Sequence, residues 1–360
     1  MIRSLCVWLF LLVGCFAQSV SATSVVFLNP GGPDNPYWLS YSRFMQAAAE
    51  RLGMRLDVRY SDRDTRVLLE QARDALQGVE RPDYLVFSNE LNVAPEILRL
   101  SRGSEVRLLA VNNTFTPAQR EMLGDLPTRY PKFLGSVVGN DEEGGYLTAK
   151  QLIEQGEPLA PGTTVDLIAF SATAGTPVSL QREQGLYRAL AEHPEVRLRH
   201  IVLGGWRRDR AQEQAETLLK RYPDTRLVWA ANDSMAFGAM DAIREAGKVP
   251  GKDVRVSAIN GSLSALLAQL DGSLNIVAGQ HFTLGGWALV VLHDYEQQAE
   301  ASRERIGDRT VRVLEIIPRH DTLRYLELIQ HDDLGIDVSQ YLGGRSPPGL
   351  PSPFLPGRGD

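Results

Sequence analysis

No residue set in this chain has the spacing of a reaction centre. Gly-x-Ser-x-Gly, a Walker loop, Gly-x-Gly-x-x-Gly and His-Glu-x-x-His are absent, and the six histidines are scattered from His193 to His331. A nucleophile with its base, a cofactor loop or a metal cluster would need one of those arrangements, so neither an enzyme, a cofactor nor a metal is expected. Gly31-Gly32-Pro33 could cradle an anion at a helix start, but the same residues read first as a plain turn. The loops carry aromatic rings, amides and guanidinium groups instead, as in Asn35-Pro36-Tyr37-Trp38 and Asn112-Asn113. A sugar-like molecule presents a C–H face that flat rings cover, and hydroxyls that Asn, Gln, Asp and Arg match as donors and acceptors. That is binding chemistry, without turnover.

These groups stand where apolar runs end and helical periods begin. Candidate strands lie at 24–28, 55–60, 84–87, 107–111, 133–137, 165–170, 198–203, 227–230, 254–259 and 275–278, with helices such as 38–52, 143–155, 180–191, 210–222, 234–246 and 284–298 between them. The alternation predicts an α/β fold of two doubly wound parallel sheets, Rossmann-like lobes, because ten strands exceed one ordinary open sheet. The chain should change lobe near 135–140. The expected organisation is a leader at 1–22, a first lobe of 23–136 plus 282–318, a second lobe of 137–281 plus 319–336, and a disordered Pro/Gly-rich tail at 337–360. In such sheets ligands bind beyond the carboxyl ends of the strands.

The ends bound where the protein works. Arg3, an apolar run from Leu5 to Val13 and the small residues before Ala22 make a secretory signal peptide, since the run of about ten residues is half of what a spanning helix needs. Cleavage is expected after Ala22, which exports the protein; the family resemblance given below makes its compartment the periplasm. Leu12-Val13-Gly14-Cys15 is an alternative lipoprotein site. The cysteines, Cys6 and Cys15, both precede Ala22, which excludes disulfides and thiol chemistry from a chain cut there. The net charge is −6 without any basic block, so nucleic acid and anionic membrane are unsuitable partners.

With these residues set out, the mature chain resembles the ribose-type (type I) periplasmic sugar-binding family over nearly its whole length. Ala230-Ala231-Asn232-Asp233-Ser234-Met235-Ala236-Phe237-Gly238-Ala239 matches the family's Asn-Asp-x-Met-Ala-x-Gly-Ala segment. The resemblance implies that Asn232 binds ligand and that Asp233 caps the following helix. It gives Asn35 a hydrogen bond to the sugar, stacking to Tyr37 and Trp38, and a charged donor to Arg182 in Arg182-Glu183-Gln184-Gly185. Trp206 becomes a second aromatic wall and Gln280 a closing amide; His281, next to Gln280, is a second candidate to line the cleft, but a lone histidine reads first as structural.

Two departures matter. Asn112, with Asn113, and Asn260 stand where ribose binders carry acidic residues. They are still expected to contact ligand, but Arg182 would then lack a carboxylate from these positions. A ligand with an acidic or carbonyl-bearing group is therefore expected. The resemblance further implies a monomer that closes by hinge bending and is read by the permease of an ABC importer, or by a sensor kinase or chemoreceptor. A repressor related to this two-lobed core would need a DNA-reading domain before residue 24, where only the leader stands.

Overall fold

The computed structural model describes residues 22–156, 162–300 and 303–343; the expected leader up to Ser21 and the tail from Gly344 lie outside them. Two six-stranded sheets carry the fold. The first is ordered β11-β5-β4-β3-β1-β2, from β1 (Ser24–Asn29), β2 (Arg55–Tyr60), β3 (Tyr84–Phe87), β4 (Arg107–Val111), β5 (Phe133–Gly139) and β11 (Gly307–Val311). The second repeats the order as β12-β10-β9-β8-β6-β7, from β6 (Val165–Ser171), β7 (Val196–Leu203), β8 (Thr225–Ala230), β9 (Arg255–Asn260), β10 (Ile276–Gly279) and β12 (Glu315–Ile316). Among the described strands only β10 with β12 is antiparallel. Two doubly wound, mostly parallel sheets are what the alternation of apolar runs and helical periods led us to expect, and their arrangement is the type I periplasmic-binding-protein fold that the resemblance implies.

The strands are parallel because their chemistry demands cover on both faces. β1, Ser-Val-Val-Phe-Leu-Asn, is buried at every residue, the run expected of a strand with helices on both sides. Those helices are α1 (Pro36–Arg51), α2 (Thr65–Gln77), α3 (Ala94–Leu100), α4 (Pro117–Leu123), α5 (Leu126–Arg129) and α11 (Leu284–Gln297) around the first sheet. Around the second lie α6 (Asp141–Glu154), α7 (Pro177–Glu192), α8 (Arg208–Arg221), α9 (Asp233–Glu245), α10 (Leu263–Asp271) and α12 (Thr322–Leu328).

Two strands escaped the sequence reading, and both are edge pieces. β11 is largely exposed with Asp308 and Arg309 at its centre, and β12 has only two residues. Their pairings set where the chain changes sheet. β5 stays in the first sheet to Gly139, β10 leaves the second after Gly279, and β12 has joined the second by Glu315. These crossings differ by a few residues from the divisions drawn at 136, 281 and 318. A further difference lies at 337–343, assigned above to the tail: Val338 is buried and the ring of Tyr341 meets Trp287 edge-on at 5.1 Å.

Candidate functional site

Beyond the carboxyl ends of the strands a cavity of about 220 Å³ is lined from both lobes. That is smaller than the roughly 300–1,000 Å³ of pockets for drug-sized ligands. Nine of the ten residues expected at the site line it: Asn35, Tyr37, Trp38, Asn112, Asn113, Arg182, Trp206, Asn232 and Asn260. Gln280 does not. It is buried, with a φ of 79°, and its neighbour His281 reaches the cavity instead.

Local sequence positions each group. Asn35 caps α1 by accepting from the Trp38 backbone N–H at 3.2 Å, with Pro36 opening the helix. This sets Tyr37 and Trp38 edge to face at 5.0 Å. The Tyr37 hydroxyl, which burial holds in its protonated form well above the usual range, donates to Asn112 Oδ1 at 2.8 Å. The ring of Tyr37 stacks on His281 at 4.7 Å. Asn112, Trp206 and Asn260 all adopt positive φ, at 62°, 64° and 141°. Such conformations cost about 1–3 kcal/mol each and gather where a site over-determines them.

Arg182 is the most constrained member. It is 2% exposed; Nε donates to Asp141 Oδ1 at 2.8 Å and Nη1 to the Ala231 carbonyl at 2.6 Å. Its Nη2 contacts His281 Nε2 at 3.1 Å. Arginine only donates, so this His nitrogen accepts and the imidazole is neutral with its proton on Nδ1. Burial and the neighbouring guanidinium both hold the His281 pKa well below its ordinary value. Glycine permits the Arg182–Asp141 meeting: a Cβ on Gly145 would stand 2.2 Å from the Arg182 carbonyl, and one on Gly185 2.0 Å from that of Glu142. α6 and α7 therefore approach backbone to backbone.

This pair removes the premise for an acidic ligand. Arg182 has a carboxylate, supplied by Asp141 at the start of α6 and not by the strand-end positions. The other lining arginines are matched as well, Arg63 by Glu90 at 2.9 Å and Arg208 by Asp241 at 2.7 Å. The remaining lining charge is Asp233, which accepts from Asn260 Nδ2 at 2.8 Å and from the Ser234 and Ser262 backbone N–H groups. Its role also differs from the expected cap: Asn232 caps α9 by accepting from Met235 N–H at 2.9 Å, and Asp233 ties α9 to the loop after β9. Burial raises the Asp233 pKa.

Asn113 is held within the protein at both ends of its amide. Its Nδ2 donates to Glu90 Oε2 at 3.0 Å, and its Oδ1 accepts from the Val178 backbone N–H at 3.0 Å on the opposite lobe. Glu90, Arg63, Asp141, Ser262 and Phe237 were not singled out from sequence. Arg63 and Glu90 follow β2 and β3, so the strand-end rule applied to every loop would have found them.

Comparison with known proteins places this geometry. Residues 134–300 match the model of a periplasmic binding protein domain. The galactofuranose-binding protein of Escherichia coli (strain K12) is 28% identical over 139 residues, 38% of this chain and 44% of that protein. A ribose import binding protein of Salmonella typhimurium (strain LT2) is 23% identical over 248 residues, 69% of this chain and 76% of its own length. A crystal structure of a galactofuranose binding protein shares the fold, with a TM-score of 0.72 at 18% identity, over 87% of this chain and all of that one. A periplasmic sugar-binding protein from Pseudomonas fluorescens is 45% identical, with a TM-score of 0.80, over 90% of this chain and 95% of its own. On that likeness, joined to the fold and the matching domain model, the chain belongs to the type I periplasmic sugar-binding protein family.

Proposed function

We propose that the protein captures a neutral, monosaccharide-sized sugar in the cavity between its lobes and presents the closed form to the permease of an ABC importer. The observation that carries the reading is the cavity itself: aromatic rings and amides from both lobes line it, and every lining arginine already has a carboxylate partner. An anion entering would meet Asp233 and no uncommitted cation. A neutral polyol would meet amides able to donate and accept, with Trp38, Tyr37 and Trp206 for its C–H face. Relatives that import ribose and D-apiose support the transport role. Binding across both lobes favours their approach, so that closure is the signal a permease reads.

The test is a thermal-shift and calorimetric screen of neutral pentoses and hexoses, sugar acids and sugar phosphates. A ligand at 100 times its dissociation constant adds about 2.7 kcal/mol of stability. The expected result is a shift with a neutral sugar that Asn232→Ala abolishes. Shifts with acids or phosphates alone would overturn the neutrality of the ligand, and no shift with any sugar would overturn the sugar reading.

A further inference from the structure

Beyond the three crossings between the sheets, the chain bridges the lobes a fourth time near its C-terminal end. α12 packs on α10 of the second lobe, where buried Thr322 donates from Oγ1 to Gln269 Oε1 at 2.7 Å. The chain then turns at residues 329–334 and is held by the first lobe. Leu334, Ile336 and Val338 are buried, Tyr341 sets its ring edge-on against Trp287 of α11, and the Gly343 N–H donates to Asp294 Oδ1 at 2.8 Å. Asp332 and Asp333 face Arg43 and Arg51 of α1 at 4.0 and 3.6 Å; these are exposed pairs worth little, so the apolar residues are the anchor.

The place of this bridge gives it a consequence. Between α1, α10 and the bridge lies a second cavity of about 560 Å³, lined by Leu39, Leu263, Leu267 and Phe282 below and by Leu326 and Leu334 of the bridge above. Its wall shares Pro36, Tyr37, Asn260 and Ser262 with the candidate sugar site. The bridge therefore ties together, beside the mouth of that site, the two elements whose starts line it, α1 and α10.

We propose that residues 322–343 form a strap that restrains how far the two lobes open. Opening separates α1 from α10 and must either pull Tyr341 and Val338 from their seats or unravel the turn at 329–334. That turn is held by backbone hydrogen bonds from Gln330, His331 and Leu334. Undoing them releases chain gradually, so the strap resists opening progressively and does not impose a sharp stop. The inference rests on the hinge-closure reading above.

The experiment lengthens the strap while leaving its anchors in place. Six Gly/Ser residues are inserted between Gln330 and His331, an exposed turn where added chain is tolerated. Spin labels are placed on the first lobe at Glu121→Cys and on the second at Glu213→Cys, both exposed, with Cys6 and Cys15 replaced by serine. Each inserted residue adds up to ~3.3 Å of reach. The expected result is an inter-label distance distribution, without added sugar, that is broader and several ångströms longer than in the parent. Superimposable distributions in the two proteins overturn the strap. If the insertion lowers folding yield, Tyr341→Ala frees the first-lobe anchor and is read the same way. Adding D-ribose or D-galactose to the parent separates the two ideas: a parent whose distances neither sugar changes, beside an insertion variant whose sugar-free distances are broader and longer, would sink closure and leave the strap standing.

Discussion

Truncating Arg182 tests whether the pair at the centre of the site is as buried and as coupled as its geometry implies. In Arg182→Met the carboxylate of Asp141, 1% exposed, loses its only ion-pair partner among the described residues, and the Ala231 carbonyl and His281 Nε2 lose a donor. Breaking a buried pair from one side costs about 3–5 kcal/mol, whereas an exposed pair would cost under about 1 kcal/mol. Burial already raises the Asp141 pKa even with Arg182 present. A carboxyl whose folded pKa lies above its unfolded value of roughly 3.9 binds more protons folded than unfolded, so its contribution is full below the unfolded pKa and is lost as pH rises through the folded one. The deficit of Arg182→Met should therefore shrink on acidification. Adding Asp141→Leu removes the stranded charge, so the double variant should be more stable than Arg182→Met alone at neutral pH, though neither binds sugar. Urea denaturation at several pH values measures all of this. A single-variant cost below about 1 kcal/mol, or single costs that add in the double variant to within ~0.5 kcal/mol, would refute the account.

Three further outcomes follow from the same contacts. Asn113→Ala strands the Val178 N–H and releases Glu90, and since an unsatisfied buried donor costs about 1–3 kcal/mol, sugar affinity should fall roughly 5- to 150-fold in titration calorimetry. Tyr37→Phe deletes the hydrogen bond to Asn112, worth about 0.5–1.5 kcal/mol; a loss of folding stability of that size in thermal melting, with a two- to tenfold weaker dissociation constant, is expected. His281 is held below its ordinary pKa, so the folded state binds fewer protons than the unfolded one. Stability should fall as pH drops through about 6.5, by up to ~1.4 kcal/mol per pH unit for that one proton, and His281→Gln should flatten this slope in pH-dependent melting.

Most of the fold was legible because its signals are local. The buried run of β1, the Asn-Pro start of α1 and the helical period of α9 are each set within a few residues, although the cap of α9 is Asn232 and not the Asp233 expected. What escaped depends on partners far along the chain. β11 is a polar edge paired on one side, and nothing in Gly307–Val311 alone distinguishes it from a loop. Asp141 is an ordinary acidic residue at a helix start until the glycines of α6 and α7 bring it to Arg182, 41 residues away. The exchange of Gln280 for His281 turns on the backbone conformation of a single residue, φ 79° at Gln280, which no residue type announces.

The two asparagines that stand where ribose binders carry acids are polarised in opposite senses by their surroundings. Asn260 gives its Nδ2 to Asp233, which can only accept when ionised, and so turns Oδ1 toward the remaining space. Asn112 accepts the Tyr37 hydroxyl on Oδ1, which leaves Nδ2 as its donor. One former acid position thus offers an acceptor and the other a donor. Restoring the family's acid by Asn260→Asp would not restore its chemistry here, because the new carboxylate would face Asp233 where the present contact is 2.8 Å. Two carboxylates that close cannot both stay ionised, so sugar affinity should fall at neutral pH and partly recover as one of them is protonated. Equal affinity for Asn260→Asp and the parent across pH 4–8 would show that Asp233 does not set the polarity of this amide, and the donor–acceptor assignment would fail with it.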